Sequence, residues 1–290
     1  MQGVKGSSAF RFAAWQVAIV IGSIVAYFGV RGLTEGDPAT ANRNAARVID
    51  IEQALGINFE QGIQDAVTFS GWAMTLANWV YIWMHWPVVI ATFIWLIRTN
   101  RPEYLRLRNA VLISGLIGLF IFATFPVAPP RLFGPEFVDT VTQRSYSYRM
   151  LQPPAFVNRY AAMPSLHFGW NLLVGIAWYR VARSPRLKIA AVLMPVAMAW
   201  AVVATANHWV LDVIVGGTVA LIGLLLESTR HELTTPRIGT FGARPRISGS
   251  APSNARTAFE IAERQRPNAC VEPLHRATLT RSVEPELQRR

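Results

Sequence analysis

Between residues 10 and 228 the chain is dominated by six runs of about twenty mostly apolar residues, the length needed to cross the hydrocarbon core of a bilayer. The runs are 10–30, 71–97, 109–127, 166–183, 187–206 and 209–228. They predict an all-α, polytopic membrane protein built as a six-transmembrane-helix bundle. The second run contains His85 and Pro87, so a tilt or kink is expected there. Only RVARSPRLK separates the fourth from the fifth, which requires a tight turn. Charge is scarce, at 16% against about 25% in a soluble domain. It is also uneven: of 28 Lys/Arg and 17 Asp/Glu, 11 and 6 lie in the final segment, 229–290. The chain therefore divides into 1–70 (a first transmembrane helix and an outer amphipathic segment), a membrane core at 71–228, and a basic tail at 229–290. The tail's Pro, Gly and Ser and its lack of apolar periodicity predict disorder.

Loop charges orient the spans, because basic loops stay cytoplasmic. Arg98, Arg101, Arg106 and Arg108 follow the second span, and Arg180, Arg183, Arg186 and Lys188 join the fourth to the fifth. Residues 31–70 are acidic, and within them 44–64 reads as an amphipathic helix on the outer surface, with Val48, Ile51, Ala54, Leu55 and Phe59 apolar. The expected location is a cell membrane, with both termini cytoplasmic. The stretch after Arg11 has no small-residue cleavage site and is long enough to span, so it is expected to be retained. The 128–163 loop breaks the pattern, placing Arg131, Arg144, Arg149 and Arg159 on the outer side. The net charge of +11 is dispersed over short loops and tail, which argues for anionic headgroups or phosphate as partners and against nucleic acid. The single Cys270 excludes an internal disulfide. No Cys/His/Asp spacing suits a metal and no glycine-rich loop follows a strand, so neither metal nor cofactor is expected.

Three polar clusters fall at one membrane face under this topology. FPVAPPRL (125–132) closes the third span, AAMPSLHFGW (161–170) opens the fourth, and NHWVLDVIVG (207–216) opens the sixth. His208 and Asp212 are four apart and share a helix face. A carboxylate beside an imidazole fixes its tautomer and leaves the other nitrogen free, although a structural pair at a helix end fits the spacing equally. His167 lies just after Pro164 and Ser165, in a first turn whose free N–H groups favour anions; an interfacial histidine beside a serine cap is the alternative. Arg131 offers a planar fork matched to phosphate, or a snorkelling contact with headgroups. Together, two histidines, an acid and an arginine on one face suit phosphoryl transfer. His85 is read mainly as a histidine hydrogen-bonded between helices, with cavity lining as the alternative.

PSLH (164–167) and HWVLD (208–212) resemble the second and third signatures of the type 2 phosphatidic acid phosphatase superfamily. The resemblance covers roughly 70–228, and PVAPPRL (126–132) is similar to the inositol phosphorylceramide synthase-like, or inositolphosphotransferase, branch. It implies a six-helix core and metal-free catalysis through a phosphohistidine. By motif position, His208 is the nucleophile, Asp212 its orienter, His167 the acid/base, and Ser165 and Arg131 phosphate contacts. Two positions depart from the usual motifs: Leu166 stands for a glycine, and Val202 for an arginine six residues before the nucleophile. Arg131 is the first choice to replace that cation, with Arg144, Arg149 and Arg159 in reserve. The expected activity is a membrane phosphoesterase acting on a lipid-linked phosphate or pyrophosphate. Transfer to a lipid or polyol hydroxyl is the alternative within the same chemistry, and a non-catalytic transporter or scaffold is the rival from another class.

Overall fold

The structure is a computed structural model and describes residues 3–33, 36–141 and 158–234. All of these lie in a unit running Met1–Arg237. The described residues form helices and no strand, in ten elements: α1 (Gly3–Leu33), α2 (Pro38–Leu55), α3 (Glu60–Thr68), α4 (Gly71–Trp83), α5 (Trp86–Thr99), α6 (Arg101–Thr124), α7 (Pro130–Phe133), α8 (Leu166–Val181), α9 (Pro185–Ala204) and α10 (Val210–Thr234). Among the described residues, four helices are long and apolar enough to cross a membrane: α1, α6, α9 and α10. A fifth span results if α4 and α5, bent by 42° at their junction, count as one. The expected fourth span, α8, has 16 helical residues, about 24 Å at helical rise, which is short of a full bilayer core.

Local chemistry explains most boundaries. Pro87 sits in the first turn of α5 and cannot donate to α4, so the helix breaks at Met84–His85 and restarts with Val89 N–H donating to the His85 carbonyl. Asn100 caps α6 by accepting from Glu103 N, and Ser184 caps α9 by accepting from Leu187 N. Much of the basic 98–108 segment, read above as loop, is therefore the first turns of α6. The amphipathic 44–64 segment is two helices, since Gly56 adopts φ 67° and ends α2. Nor do these helices simply lie on a surface: Ala41, Ala45 and Val48 are buried against Val127, Ala128 and Trp209, while Ile51, Leu55 and Phe59 remain exposed.

The core pairs are α6 with α10, α8 with α9, and α8 with α10. Small residues permit that closeness: a Cβ on Gly169 would stand 2.6 Å from the Gly216 carbonyl oxygen, and one on Gly223 would stand 2.7 Å from that of Ala110. The resulting topology brings the end of α6, the start of α8, the end of α9 and the start of α10 to one end of the bundle. The tail expected to be disordered from 229 begins instead as helix, since α10 continues through Thr234; the rest of it lies outside the described residues.

Candidate active site

The three motif clusters are tied together through their backbones. Val127 N–H donates to the Tyr160 carbonyl at 2.8 Å, and Ala162 N–H donates to that of Val127 at 3.3 Å, so the arginine loop pairs with the segment leading into α8. Ser165 N–H donates to the Asp212 carbonyl at 2.9 Å, joining α8 to α10. Arg131 N–H donates to Ala206 O at 3.0 Å, and Trp209 Nε1–H donates to Ala128 O at 2.8 Å, closing the triangle. The turn before His208 carries a left-handed residue that is not glycine, Ala206 at φ 53°. Such strain persists only where surrounding bonds hold it. Here the Val202 carbonyl accepts from both Asn207 N and His208 N at 3.1 Å.

His208 Nδ1 lies 2.7 Å from the Ala162 carbonyl oxygen. A carbonyl only accepts, so Nδ1 carries the hydrogen and Nε2 is left with its lone pair. Asp212 Oδ2 is 3.6 Å from the same Nδ1, an electrostatic distance rather than a hydrogen bond, and instead accepts from Trp209 N at 2.8 Å. The orienting contact expected from Asp212 is thus made most directly by a backbone carbonyl, with the carboxylate behind it. Asp212 itself is completely buried.

Across from His208, at 6.0 Å between ring centroids, stands His167 in the first turn of α8. Its ring stacks on Tyr81 at 4.7 Å and meets His85 at 4.3 Å. Asn171 Nδ2 lies 2.8 Å from the His167 carbonyl and 3.0 Å from His85 Nδ1. The carbonyl identifies Nδ2 as the donor, so His85 Nδ1 accepts and its proton resides on Nε2. His85 is hydrogen-bonded between helices, as its sequence context suggested, and it also lines the cleft.

Arg131, His167 and His208 line one cleft. Arg131 is aimed by two contacts, Nε–H donating to Asn207 Oδ1 at 2.9 Å and a guanidinium nitrogen 3.4 Å from Asp139 Oδ2. Asn207 escaped the sequence reading, although its place beside His208 was a signal. Arg159 is exposed at the same cleft, whereas Arg144 and Arg149 lie outside the described residues. Ser165 is fully buried, and among the described residues its Oγ has no partner and it is not one of those lining the cleft. Its carbonyl is pressed against Gly216 and its N–H is committed to Asp212, which holds it inside the α8–α10 contact. Val202, where an arginine was missing, is buried in an apolar cluster and serves through its carbonyl.

A second cleft lies between α1, α5 and α6 and shares Tyr27, Trp86 and Trp170 with the first. Its walls are almost wholly apolar.

Among known proteins, a family model described as the PAP2 superfamily matches residues 46–226. No curated protein and no solved structure matches the chain.

Proposed function

Since this chain belongs to the PAP2 superfamily, which implies phosphatase-type phosphoesterase activity, we propose that it is a membrane enzyme that cleaves a lipid-linked phosphate or pyrophosphate through phospho-His208. The observation that carries this reading is the His208 tautomer: Nδ1–H is committed to Ala162 O, so Nε2 is the nucleophilic atom in a cleft shared with His167 and Arg131. In the first step, Nε2 attacks phosphorus and the P–O bond to the lipid breaks. Protonated His167 gives its proton to the departing oxygen. In the second step, neutral His167 takes a proton from water as its oxygen attacks phosphorus. The N–P bond then breaks, releasing phosphate and restoring both histidines. Arg131 and Arg159 supply the cationic contacts to the phosphoryl oxygens, with Arg144 and Arg149 of the same loop as further candidates. Asp212 stabilises the positive charge that grows on His208. Ser165 serves as a backbone link between the two catalytic helices.

The apolar second cleft supports a lipid substrate, because it meets the polar cleft at Tyr27, Trp86 and Trp170. For the membrane arrangement we retain six crossings, with the α4–α5 pair as one and α8 as a short sixth, both termini cytoplasmic and the cleft outside. The similarity of PVAPPRL to the synthase-like branch makes a lipid or polyol hydroxyl the alternative acceptor. The purified protein given a phosphate-labelled lipid should release free phosphate, inhibited by vanadate. A new labelled lipid would instead identify a transferase, and neither product with no vanadate binding would leave the transporter or scaffold reading.

A further inference from the structure

Two buried carboxylates take no part in that chemistry yet reach its centre. Glu60 Oε1 accepts from Val210 N at 2.7 Å, and Glu52 Oε1 accepts from Leu211 N at 2.6 Å. With Asp212 Oδ2 on Trp209 N, three consecutive amides at the start of the helix that follows His208 each end on a carboxylate. The opening amides of a helix always need partners, usually supplied by a local cap. Here two of the partners come from α2 and α3, 159 and 150 residues away in sequence. Such a cap fixes where the helix stands as well as satisfying its donors. Glu52 and Glu60 are 0% and 1% exposed, and neither joins an ion pair among the described residues.

α2 also grips the arginine loop. Asn44 Nδ2 donates to Pro126 O at 2.9 Å, and the Ala41 carbonyl accepts from Ala128 N at 3.2 Å. One helix therefore holds both the loop that ends in Arg131 and the Leu211 amide of the turn that follows His208. Burial pushes the Glu52 carboxyl up to about 8, and Glu60 and Asp212 act in the same direction against the opposing Leu211 amide. Near neutral pH Glu52 accordingly retains its proton, which relieves repulsion with its acidic neighbours in the absence of a cation.

We infer that Glu52 and Glu60 are positioning residues, a pair of buried side-chain acceptors that clamps the first turn of α10 so that His208 keeps its register with Ala162 O and Arg131. This inference rests on His208 being the nucleophile. A clamp needs acceptors at these two places and does not need their charge, so glutamine should serve where alanine fails.

The test uses the full chain in lipid nanodiscs, comparing the double variants Glu52→Gln/Glu60→Gln and Glu52→Ala/Glu60→Ala. Both are measured for kcat, KM, pH profile and amide exchange across residues 209–212. The alanine pair should lose kcat by on the order of 10- to 100-fold, as for a misplaced catalytic group, with KM little changed and faster exchange. The glutamine pair should restore kcat and protection while flattening the alkaline limb. An alanine pair that folds and retains wild-type kcat overturns the clamp, as does a glutamine pair as impaired as alanine. Should the alanine pair fail to fold, the single variants Glu52→Ala and Glu60→Ala are read in the same way. A wild type that neither hydrolyses lipid phosphates nor binds vanadate overturns the proposed function. Exchange at 209–212 then still judges the clamp, with equal rates in the alanine and glutamine variants counting against it.

Discussion

The bundle carries buried acids at both ends, and the two ends treat them differently. At the end remote from the cleft, Glu103 lies 2.9 Å from Arg106 and 3.4 Å from Arg180, and Glu227 lies 3.7 Å from Arg106. These acids link the start of α6 to the ends of α8 and α10 through arginines. At the cleft end, Glu52, Glu60 and Asp212 are bound by backbone amides, while Arg131 is aimed by Asn207 and Asp139. The three buried acids there are held by backbone donors, and Arg131, paired with Asp139, still lines the cleft. One end thus joins its helices through ion pairs, and the other anchors its buried acids on backbone amides.

Breaking the cleft end should produce the largest effects. Replacing His167 by alanine should reduce kcat by about 10²- to 10⁴-fold, the usual contribution of a positioned acid/base, and steady-state hydrolysis of a lipid phosphate measures it. Arg131→Ala should cost on the order of 10²- to 10³-fold, as for loss of a donor to a developing oxyanion, and weaken vanadate binding in parallel. Unchanged activity in Arg131→Ala would transfer the phosphate contact to Arg159 or to the other arginines of that loop.

A smaller effect sharpens the comparison through pH. Glu52 titrates near 8 in the fold against 4.5 when unfolded. The folded state therefore holds the extra proton between those values. The stability it confers is complete below about pH 4.5 and is lost as pH rises through 8. Its full span is about 3–5 kcal/mol, read as a Tm that falls between pH 5 and 8.5, and Glu52→Gln should flatten that slope. The smallest catalytic effect belongs to the remote end. Glu103→Gln should lower stability by about 1–3 kcal/mol through the weakened arginine network while leaving kcat unchanged. A kcat loss there comparable to that of Arg131→Ala would erase the division between the two ends.

Much of the cleft was legible because its motifs are local. His208 with Asp212, Pro164 with His167, and Pro129–Pro130 with Arg131 are short patterns, and Arg131, His167 and His208 line one cleft. Helix length was less legible, since apolar runs measure hydrophobicity and not hydrogen bonding. The run 166–183 contains only 16 helical residues, and the run 71–97 breaks where Pro87 removes a donor. Contacts over long separations could not be read at all. Nothing local to Glu52 or Glu60 reveals that α10 begins beside them, and nothing in the 44–64 pattern shows that Ala41, Ala45 and Val48 face Trp209. Ser165 shows what spacing alone leaves out: its sequence place suggested a phosphate contact, and the structure adds that its backbone is packed on Gly216 and its N–H donates to Asp212.

The proposed reaction passes through a covalent bond between His208 Nε2 and phosphorus. Rapid acid-free quenching after mixing the protein with a phosphate-labelled lipid, followed by peptide mapping, tests it directly. An acid-labile, alkali-stable label on His208 that is absent from His208→Ala is the expected result. Turnover with no label on His208, or full activity in His208→Ala, would contradict it.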